Sequence, residues 1–181
     1  MTSTEKHYAT TRRFIASLLL AIMTSTGAYA ACGPDMCLGP CNYEELLFDT
    51  RFSGNCPQWV WSNSNAHRVK IGTNWWAELT ASSDVSQTVA TGSYRAIQVH
   101  FDIEIVPANP GTELLYVEIM RGSTLLETVA VIYPESTRTS YSAYLGNYSN
   151  DSITMRFRYA AGTAPGNTIF RVDNACMWGY F

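Results

Sequence analysis

The chain has 181 residues, 46% of them hydrophobic and 13% aromatic, which is enough for one domain of ordinary size with a buried core. It carries 12 basic and 15 acidic side chains, a formal net charge of −3, and its basic residues form no cluster. Nucleic acids and anionic membranes attract chains with concentrated positive charge. We therefore predict that neither is a partner of this protein.

Residues 1–30 show the three regions of a secretory signal peptide in order. Two arginines precede an apolar run at residues 14–23, and Ala28-Tyr29-Ala30 is a small-x-small cleavage signal. The apolar run has about half of the roughly 20 residues that a membrane-spanning helix needs, which argues against a membrane anchor. A lipoprotein signal would use Cys32, but Tyr29 stands where such signals place an aliphatic residue. We predict a secreted or periplasmic protein, with a net charge of −5 after position 30.

Residues 31–45 are rich in Cys, Gly and Pro, and we predict a stapled or flexible N-terminal leader there. The exported part holds all five cysteines of the chain: Cys32, Cys37, Cys41, Cys56 and Cys176. An oxidising compartment makes disulfides the default. Because five is odd, at least one thiol stays unpaired or bonds to another molecule, and a leader cysteine that does so would give a disulfide-linked dimer. The C-x4-C-x3-C spacing lacks a matching His, which makes zinc the weaker interpretation.

From Leu46 to residue 181 the sequence predicts one all-β domain. Short β-branched and aromatic runs alternate with Gly, Asn, Ser and Pro, and they amount to roughly ten strands. The clearest strand, residues 94–106, alternates between two faces. Its apolar face has Ile97, Val99, Phe101, Ile103 and Ile105, and its polar face has Gln98, His100, Asp102 and Glu104. One buried and one polar face indicate antiparallel sheets packed face to face, as in a jelly-roll β-sandwich.

Two further strands repeat this alternation. In "DSITMRFRYA", Arg156 and Arg158 point outward, on the face opposite to the apolar residues that alternate with them. In "NWWAEL", Trp76 and Glu78 alternate onto the polar face. A Trp on a polar face is unusual unless it has a role there or a loop covers it. To the core we assign the other tryptophans of this region, Trp59, Trp61 and Trp75.

Several motifs follow one another along residues 46–178. They are "DVSQTVATGSYRAIQVHFDI", "LLYVEIMRGSTLLET", "YSAYLGNYSNDSITMRFRY" and "GNTIFRVDNACM". In this order they resemble bacterial carbohydrate-binding modules of families four, nine and twenty-two. The resemblance implies a galactose-binding-like jelly roll, of the kind usually appended to glycan-degrading enzymes, that binds sugar without catalysis.

In that fold the first and last strands are antiparallel neighbours. The C-terminal run "TIFRVDNACMWGYF" would then lie beside "LLFDTRFSGNC", and the resemblance implies a disulfide between Cys56 and Cys176. Pairing of Cys176 with a leader cysteine, or a buried thiol, is the alternative. Such modules often hold a structural calcium, for which the resemblance implies Asp173 as a ligand and Asp49 as a second. Arg51 stands where the family commonly has an acid, so an ion pair with Asp173 could replace the metal.

The resemblance also implies a sugar site with an aromatic platform and polar groups on a sheet face. We predict the following set: Trp76, Glu78, Gln98, His100, Asp102, Arg156, Arg158 and Tyr116. A solvated sheet face without a ligand is the alternative interpretation of the polar rows. The predicted function is that of a secreted, non-catalytic module that binds a polysaccharide or a cell-wall glycan.

Two other functions stay open at this point. One is a secreted structural or protein-interaction β-sandwich that binds no sugar. The other is a small lyase or glycosidase, but Asp102 and Glu104 lie about 7 Å apart on one strand, where two carboxylates seldom bracket a glycosidic bond. Gln98-Val99-His100 resembles the Q-(I/V)-H step of alginate lyases of family seven, yet "WWAELTA" keeps only the Glu-Leu of their arginine-containing strand. We therefore do not expect an enzyme.

Overall fold

The computed structural model describes residues 43–54, 57–106, 112–134, 138–163 and 168–181. These residues form strands and turns without a helix, which confirms the all-β prediction. The strands are β1 (Tyr43–Glu45), β2 (Val60–Trp61), β3 (Ala66–Ile71), β4 (Asn74–Leu79), β5 (Asp84–Ala90), β6 (Ala96–Val106), β7 (Leu114–Arg121), β8 (Thr124–Ile132), β9 (Arg138–Tyr144), β10 (Ser152–Ala160) and β11 (Ile169–Tyr180). No membrane-spanning helix occurs in this part of the chain.

The strands pair into two antiparallel sheets. Sheet A has the strand order β3-β4-β11-β6-β9, and β1 joins it beside β11. Sheet B has the order β2-β5-β10-β7-β8. The sheets pack face to face, so the predicted jelly-roll β-sandwich is confirmed.

The core lies between the sheets and receives alternate side chains from both. Along β6, the residues Ile97, Val99, Phe101, Ile103 and Ile105 are at most 4% exposed, as the alternation predicted. Phe101 meets Phe157 of sheet B edge to face, with ring centroids 5.4 Å apart. Burial of one such side chain contributes about 1.5–3 kcal/mol, so the core decides which side chains point outward.

The N-terminal part of the domain is held against the C-terminal strand. Tyr43–Glu45 pairs with β11, the Leu46 amide donates to the Met177 carbonyl at 2.8 Å, and the Ala175 amide donates to the Thr50 carbonyl at 2.9 Å. The first and last strands are therefore neighbours, as the resemblance implied. Tyr43–Glu45 falls in the segment that the sequence assigned to the leader, so this part of the predicted leader belongs to the sandwich.

The remaining leader and signal predictions lie outside the described residues. This holds for residues 1–30, for Cys32, Cys37 and Cys41, and for Cys56. Cys176 is 1% exposed. Its predicted bond to Cys56, and a dimer through a leader cysteine, stay predictions.

A loop at residues 48–54 closes one end of the sandwich. Gln87, buried in sheet B, accepts a hydrogen bond from the Phe48 amide at 2.7 Å and donates one to the Phe48 carbonyl at 2.9 Å. The Trp59 indole N–H donates to the carbonyls of Phe48 and Asp49 at 2.8 and 3.1 Å. Within the loop, the Phe52 side chain is fully buried. These contacts fix the loop beside the strands that carry the candidate sites.

A bulge in β11 changes which of its side chains point outward. Asn174 has φ 49°, in the left-handed region that Gly and Asn tolerate best. Its amide nitrogen donates to Asp173 Oδ1 at 2.8 Å, and its side-chain nitrogen donates to Asp102 Oδ2 at 2.7 Å. The pairing with β6 shifts register between Asp173 and Cys176. As a result, Trp178 lies on the same outer face of sheet A as the residues before the bulge.

Candidate functional site

The predicted sugar-binding residues are divided between the two outer faces of the sandwich. Glu78, Gln98, His100 and Asp102 belong to β4 and β6 in sheet A, whereas Arg156, Arg158 and Tyr116 belong to β10 and β7 in sheet B. Outer faces of a sandwich point away from each other. This corrects the prediction of one shared set, because alternation separates inside from outside but does not say which sheet a strand joins.

The sheet B residues bind one another. Glu118, 2% exposed, accepts hydrogen bonds from Arg156 at 2.6 and 2.9 Å and from Arg158 at 2.6 and 3.1 Å. Burial raises the pKa of Glu118, but the hydrogen bonds from Arg158 and Arg156 outweigh burial, so the pKa lies below its ordinary value. The Arg158 guanidinium also lies 4.5 Å from the Tyr116 ring centroid. The charged groups of this face are thus already engaged.

Trp76 does not form an open platform. It alternates onto the outer side of β4 with Glu78, as predicted, and lies outside the main core cluster. However, it is only 4% exposed. The exposed platform predicted for Trp76 is corrected by this burial.

The outer face of sheet A is arranged in rows across its strands. Strand register brings side chains of one row together. From one end to the other, the rows are Tyr43–Tyr180, Glu45–Trp178–Gln98–Tyr144, Cys176–His100–Ser142, Asp173–Asp102–Ser140 and Glu78–Arg171–Glu104. The face therefore changes from aromatic at one end to charged at the other, with His100 between them.

The aromatic end, which we call the aromatic platform, consists of Tyr43, Tyr144, Trp178 and Tyr180. Tyr43 lies 5.7 Å from Trp178 and 6.0 Å from Tyr180 between ring centroids, and Tyr144 lies 6.3 Å from Tyr180. Tyr144 is 67% exposed. The Tyr180 hydroxyl donates to Gln98 Oε1 at 2.6 Å. These rings form a broad surface next to an amide, which can pack against an apolar ligand face while polar groups bind its edge.

His100 adjoins the platform and is held in place on several sides. Its ring stacks on Trp178 with a centroid distance of 6.0 Å and an angle of 15°. Its Nδ1 lies 2.8 Å from Ser142 Oγ, whereas its Nε2 lies 3.7 Å from Asp102 Oδ1, beyond hydrogen-bond distance. Asp102 instead accepts from Ser140 and Asn174. The three residue types of a hydrolase triad are present, but this geometry orients the imidazole rather than aligning a nucleophile.

At the charged end, Arg171 joins two carboxylates. It donates to Glu78 at 2.9 Å and to Glu104 at 3.1 Å, and His67 Nε2 lies 3.6 Å from Glu78. Burial lowers the pKa of Arg171, but the hydrogen bonds to Glu78 and Glu104 raise it overall above its ordinary value. The predicted site residue Glu78 is thus part of an ion-pair network.

Glu45 lies beside Trp178 at the margin of the platform, and its pKa is strongly shifted. Desolvation raises its pKa to about 7, against hydrogen bonds from the Met177 and Leu47 amides. Its Oε2 and Trp178 Nε1 are both buried, and neither has a hydrogen-bond partner of good geometry among the described residues. The indole is nevertheless near enough to lower the pKa slightly. Because the Trp178 indole N–H is not aligned for a hydrogen bond to Glu45 Oε2, burial is the main influence on the protonation of Glu45.

A second concave surface, which we call the edge cleft, lies where the edge strands β2 and β3 of the two sheets face each other. It has a volume of about 400 Å³. Its lining is Asp49, Gly54, Trp59, Trp61, Ala66, His67, Arg68 and Trp75. Trp59 is a core residue as predicted, whereas Trp61 and Trp75 are only partly buried against the core. A smaller cavity of about 220 Å³ adjoins Trp75 and includes Arg51 and Asp173.

The residues predicted for calcium do not fit a calcium site. Asp49 accepts from Ser53 Oγ at 3.2 Å and the Gly54 amide at 2.9 Å, and Asp173 accepts from the Asn174 amide. Among the residues that the structure describes, no three His, Cys, Asp or Glu side chains gather as metal ligands. Arg51 lines the same cavity as Asp173, and its positive charge opposes a cation there. The calcium prediction rests on the resemblance alone.

Sequence reasoning missed Tyr43, Trp178, Tyr180 and Arg171. Strict alternation along β11 places Arg171 and Trp178 on opposite faces, and the bulge at Asn174 reverses that assignment. The Asp-Asn step was the available signal, since Asn is one of the few residues that tolerate the left-handed conformation of a bulge.

The architecture can be compared with known proteins. No protein-family model matches the sequence, and no curated protein matches it significantly. The carbohydrate-binding module TmCBM61, solved in complex with beta-1,4-galactotriose, has a TM-score of 0.59 at 10% identity, over 75% of this chain and 99% of that one. The CBM22-1 xylan-binding domain of Paenibacillus barcinonensis Xyn10C has a TM-score of 0.54 at 9% identity, over 78% and 98%. The chain thus has the fold of carbohydrate-binding modules, and the resemblance predicted from its motifs is confirmed at the level of the fold.

Proposed function

We propose that this protein is an exported, non-catalytic glycan-binding module whose sugar site is the aromatic platform with Gln98 and His100. The observation that carries the proposal is the exposed Tyr144, which lies 6.3 Å from the Tyr180 ring between centroids. Gln98 lies between Tyr144 and Trp178 in one row, and His100 lies in the next row. Aromatic faces pack against the C–H faces of pyranose rings, while amide and imidazole groups hydrogen-bond the hydroxyls at the ring edge. Glycans are the ligands named for both structural neighbours, a galactotriose and xylan, which supports the same ligand class here.

The carboxylates on this face serve structure rather than glycoside cleavage. Asp102 accepts hydrogen bonds from Ser140 and Asn174, and Glu104 accepts one from Arg171. Glycosidases need one carboxyl group to protonate the leaving oxygen and another to attack or activate water. Both carboxylates here are instead bound on the same sheet face, which favours binding over catalysis.

Export and a disulfide complete the proposal. The signal-peptide pattern of residues 1–30 supports export. We propose Cys56 as the partner of Cys176, because the N-terminal segment runs beside β11 at Thr50 and Ala175, close to Cys176 in sequence. Such a bond would hold the two ends of the domain together.

Retention on polysaccharides tests the proposal. The exported domain is passed over xylan, β-glucan, cellulose, chitin, β-galactan and alginate, as wild type, as Trp178→Ala and as Tyr116→Ala. Retention on at least one glycan that Trp178→Ala weakens about tenfold or more, and that Tyr116→Ala leaves unchanged, is expected for a site on the platform. Retention on a neutral glycan that survives Trp178→Ala, or no retention on any neutral glycan, contradicts it. No retention on any glycan of the panel favours a structural or interaction domain.

A further inference from the structure

We propose that the edge cleft is a second binding site, separate from the platform, which takes an acidic saccharide through the Arg68 guanidinium. The ligand class is an oligosaccharide that contains uronic acid. The site includes Arg68, with Lys70 and Arg51 at its border and Trp61 in its wall. This inference does not depend on the aromatic platform.

Arg68 is held in a fixed position with donor groups left over. Its Cζ lies 4.7 Å from the Trp75 ring centroid, and its Nη1 donates to the Gly54 carbonyl. A guanidinium has five N–H donors in a planar fork, which matches a carboxylate in bidentate geometry. An arginine that is already stacked and bonded loses little freedom when it binds such a group.

Among the described residues, the cations around Trp75 have no carboxylate partner, unlike several other arginines. In the described ranges, Arg121, Arg156, Arg158 and Arg171 are paired with acids, whereas no ion pair involves the basic residues around Trp75. Those residues are Arg68, Lys70, whose Nζ lies 5.7 Å from the Trp75 centroid, and Arg51 in the adjoining cavity. In a chain with a net charge of −3, this is a local positive surface that favours an anionic ligand.

The acids near the cleft are already committed. Asp49 is 4% exposed and accepts two hydrogen bonds from its own loop, and Glu78 is bound to Arg171. Asp173, in the adjoining cavity, is 4% exposed and accepts from the Asn174 amide. His67, which faces Glu78, is exposed at the rim. The charge that remains accessible around the cleft is therefore mainly positive.

The shape of the cleft suits a sugar rather than a free anion alone. Its volume of about 400 Å³ lies within the range of small-molecule sites, roughly 300–1,000 Å³. Trp61 is partly exposed on the wall and is backed by Phe52, at 6.1 Å between centroids. An indole beside a guanidinium can pack on a pyranose ring while the arginine binds its carboxylate.

Titration with a matched pair of trisaccharides tests the inference. The probes are α-1,4-trigalacturonate and the neutral α-1,4-galactotriose, which differ only in the oxidation of C6. Wild type is expected to bind trigalacturonate at least about tenfold more tightly, with a difference that shrinks as sodium chloride is added. Arg68→Gln is expected to remove the difference, Lys70→Gln to reduce it severalfold and Arg68→Lys to restore part of it.

Two controls separate this site from general charge and from the platform. Arg95→Gln removes one exposed cation elsewhere and should leave the preference unchanged, and Trp178→Ala should not affect trigalacturonate. Four results would each overturn the inference: equal affinity for the two trisaccharides, failure of wild type to bind trigalacturonate, an unchanged preference in Arg68→Gln, or an equal loss in Arg95→Gln.

If thermal unfolding shows that Arg68→Gln is not folded, the exposed Lys70 provides the test. An unchanged preference in Lys70→Gln overturns the inference, and a reduced preference supports it. Loss of neutral-glycan binding at the platform would instead bear on the proposed function alone.

Discussion

The two outer faces of the sandwich contain similar residue types but use them differently. On sheet B, Glu118 lies between Arg156 and Arg158, and Tyr116 lies under the second arginine. On sheet A, aromatic rings cluster around Trp178, and Glu45 lies beside Trp178, half-buried and without a cationic partner among the described residues. The pKa of Glu118 is lowered and that of Glu45 is raised. A binding face thus differs from a structural face in the hydrogen-bonding capacity that its polar groups still have, and not in its residue composition.

Removal of Glu118 should give the largest effect and should affect stability only. Glu118→Ala leaves Arg156 and Arg158 facing each other without their shared carboxylate, and we expect a loss of about 3 kcal/mol in the free energy of unfolding at pH 7. Urea unfolding measures this loss, with Thr154→Ala on the same face as the control. A change below about 0.5 kcal/mol would show that the network is not structural, and a lost glycan affinity would place ligand binding on sheet B.

The pH dependence of stability should reveal Glu45. Its pKa is raised to about 7 in the folded state, so the folded chain binds this proton more tightly than the unfolded chain between about pH 4.5 and 7. Stability should therefore fall as pH rises through that window, by roughly 2–3 kcal/mol from this group, and then level off.

Glu45→Gln is expected to remove that fall, because the amide stays neutral. Glu118 has the opposite sign: its pKa is lowered, so its contribution is present above its unfolded pKa and is lost as pH falls. Thermal unfolding of wild type, Glu45→Gln and Glu118→Gln from about pH 2 to 8 separates the two. Parallel curves for wild type and Glu45→Gln would contradict the assignment.

Substitution of Asn174 should destabilise the bulge that places Trp178 on the outer face of sheet A. Asn174→Ala loses both the left-handed preference and the 2.7 Å hydrogen bond to Asp102, and we expect about 1–2 kcal/mol of destabilisation. Asn174→Gly keeps the conformation and should cost less than Asn174→Ala. Equal losses in the two variants would mean that backbone conformation is not what this position supplies.

The smallest expected effect is on the orientation of His100. Ser142→Ala removes the partner of His100 Nδ1 at 2.8 Å, and we expect glycan affinity to fall about two- to fivefold, or 0.5–1 kcal/mol, with little change in stability. Calorimetric titration with the retained glycan measures it, and Thr88→Ala on sheet B is the control. An affinity equal to that of wild type would show that the orientation of His100 by Ser142 does not contribute to glycan binding.

The sequence predicted the strands and which face of each strand is buried, but it did not predict the arrangement of the sites. Alternation in β6 and β10 was strong enough to identify their buried faces, because core packing requires it. It could not say that Arg156 and His100 lie on opposite sheets, since strand order is set by long-range pairing. Apolar side chains are usually buried, which is why the sequence places Trp61 and Trp75 in the core. Both are only partly buried because they line the edge cleft between the two sheets.

The most direct test of the central claim is a map of backbone amide chemical shifts during titration with the retained glycan. If the aromatic platform is the sugar site, the largest changes are expected on sheet A, at Tyr43, Gln98, His100, Tyr144, Trp178 and Tyr180. No significant change is expected at Tyr116, Glu118, Arg156 or Arg158. Perturbations centred on those sheet B residues, with the aromatic platform unaffected, would contradict the central claim.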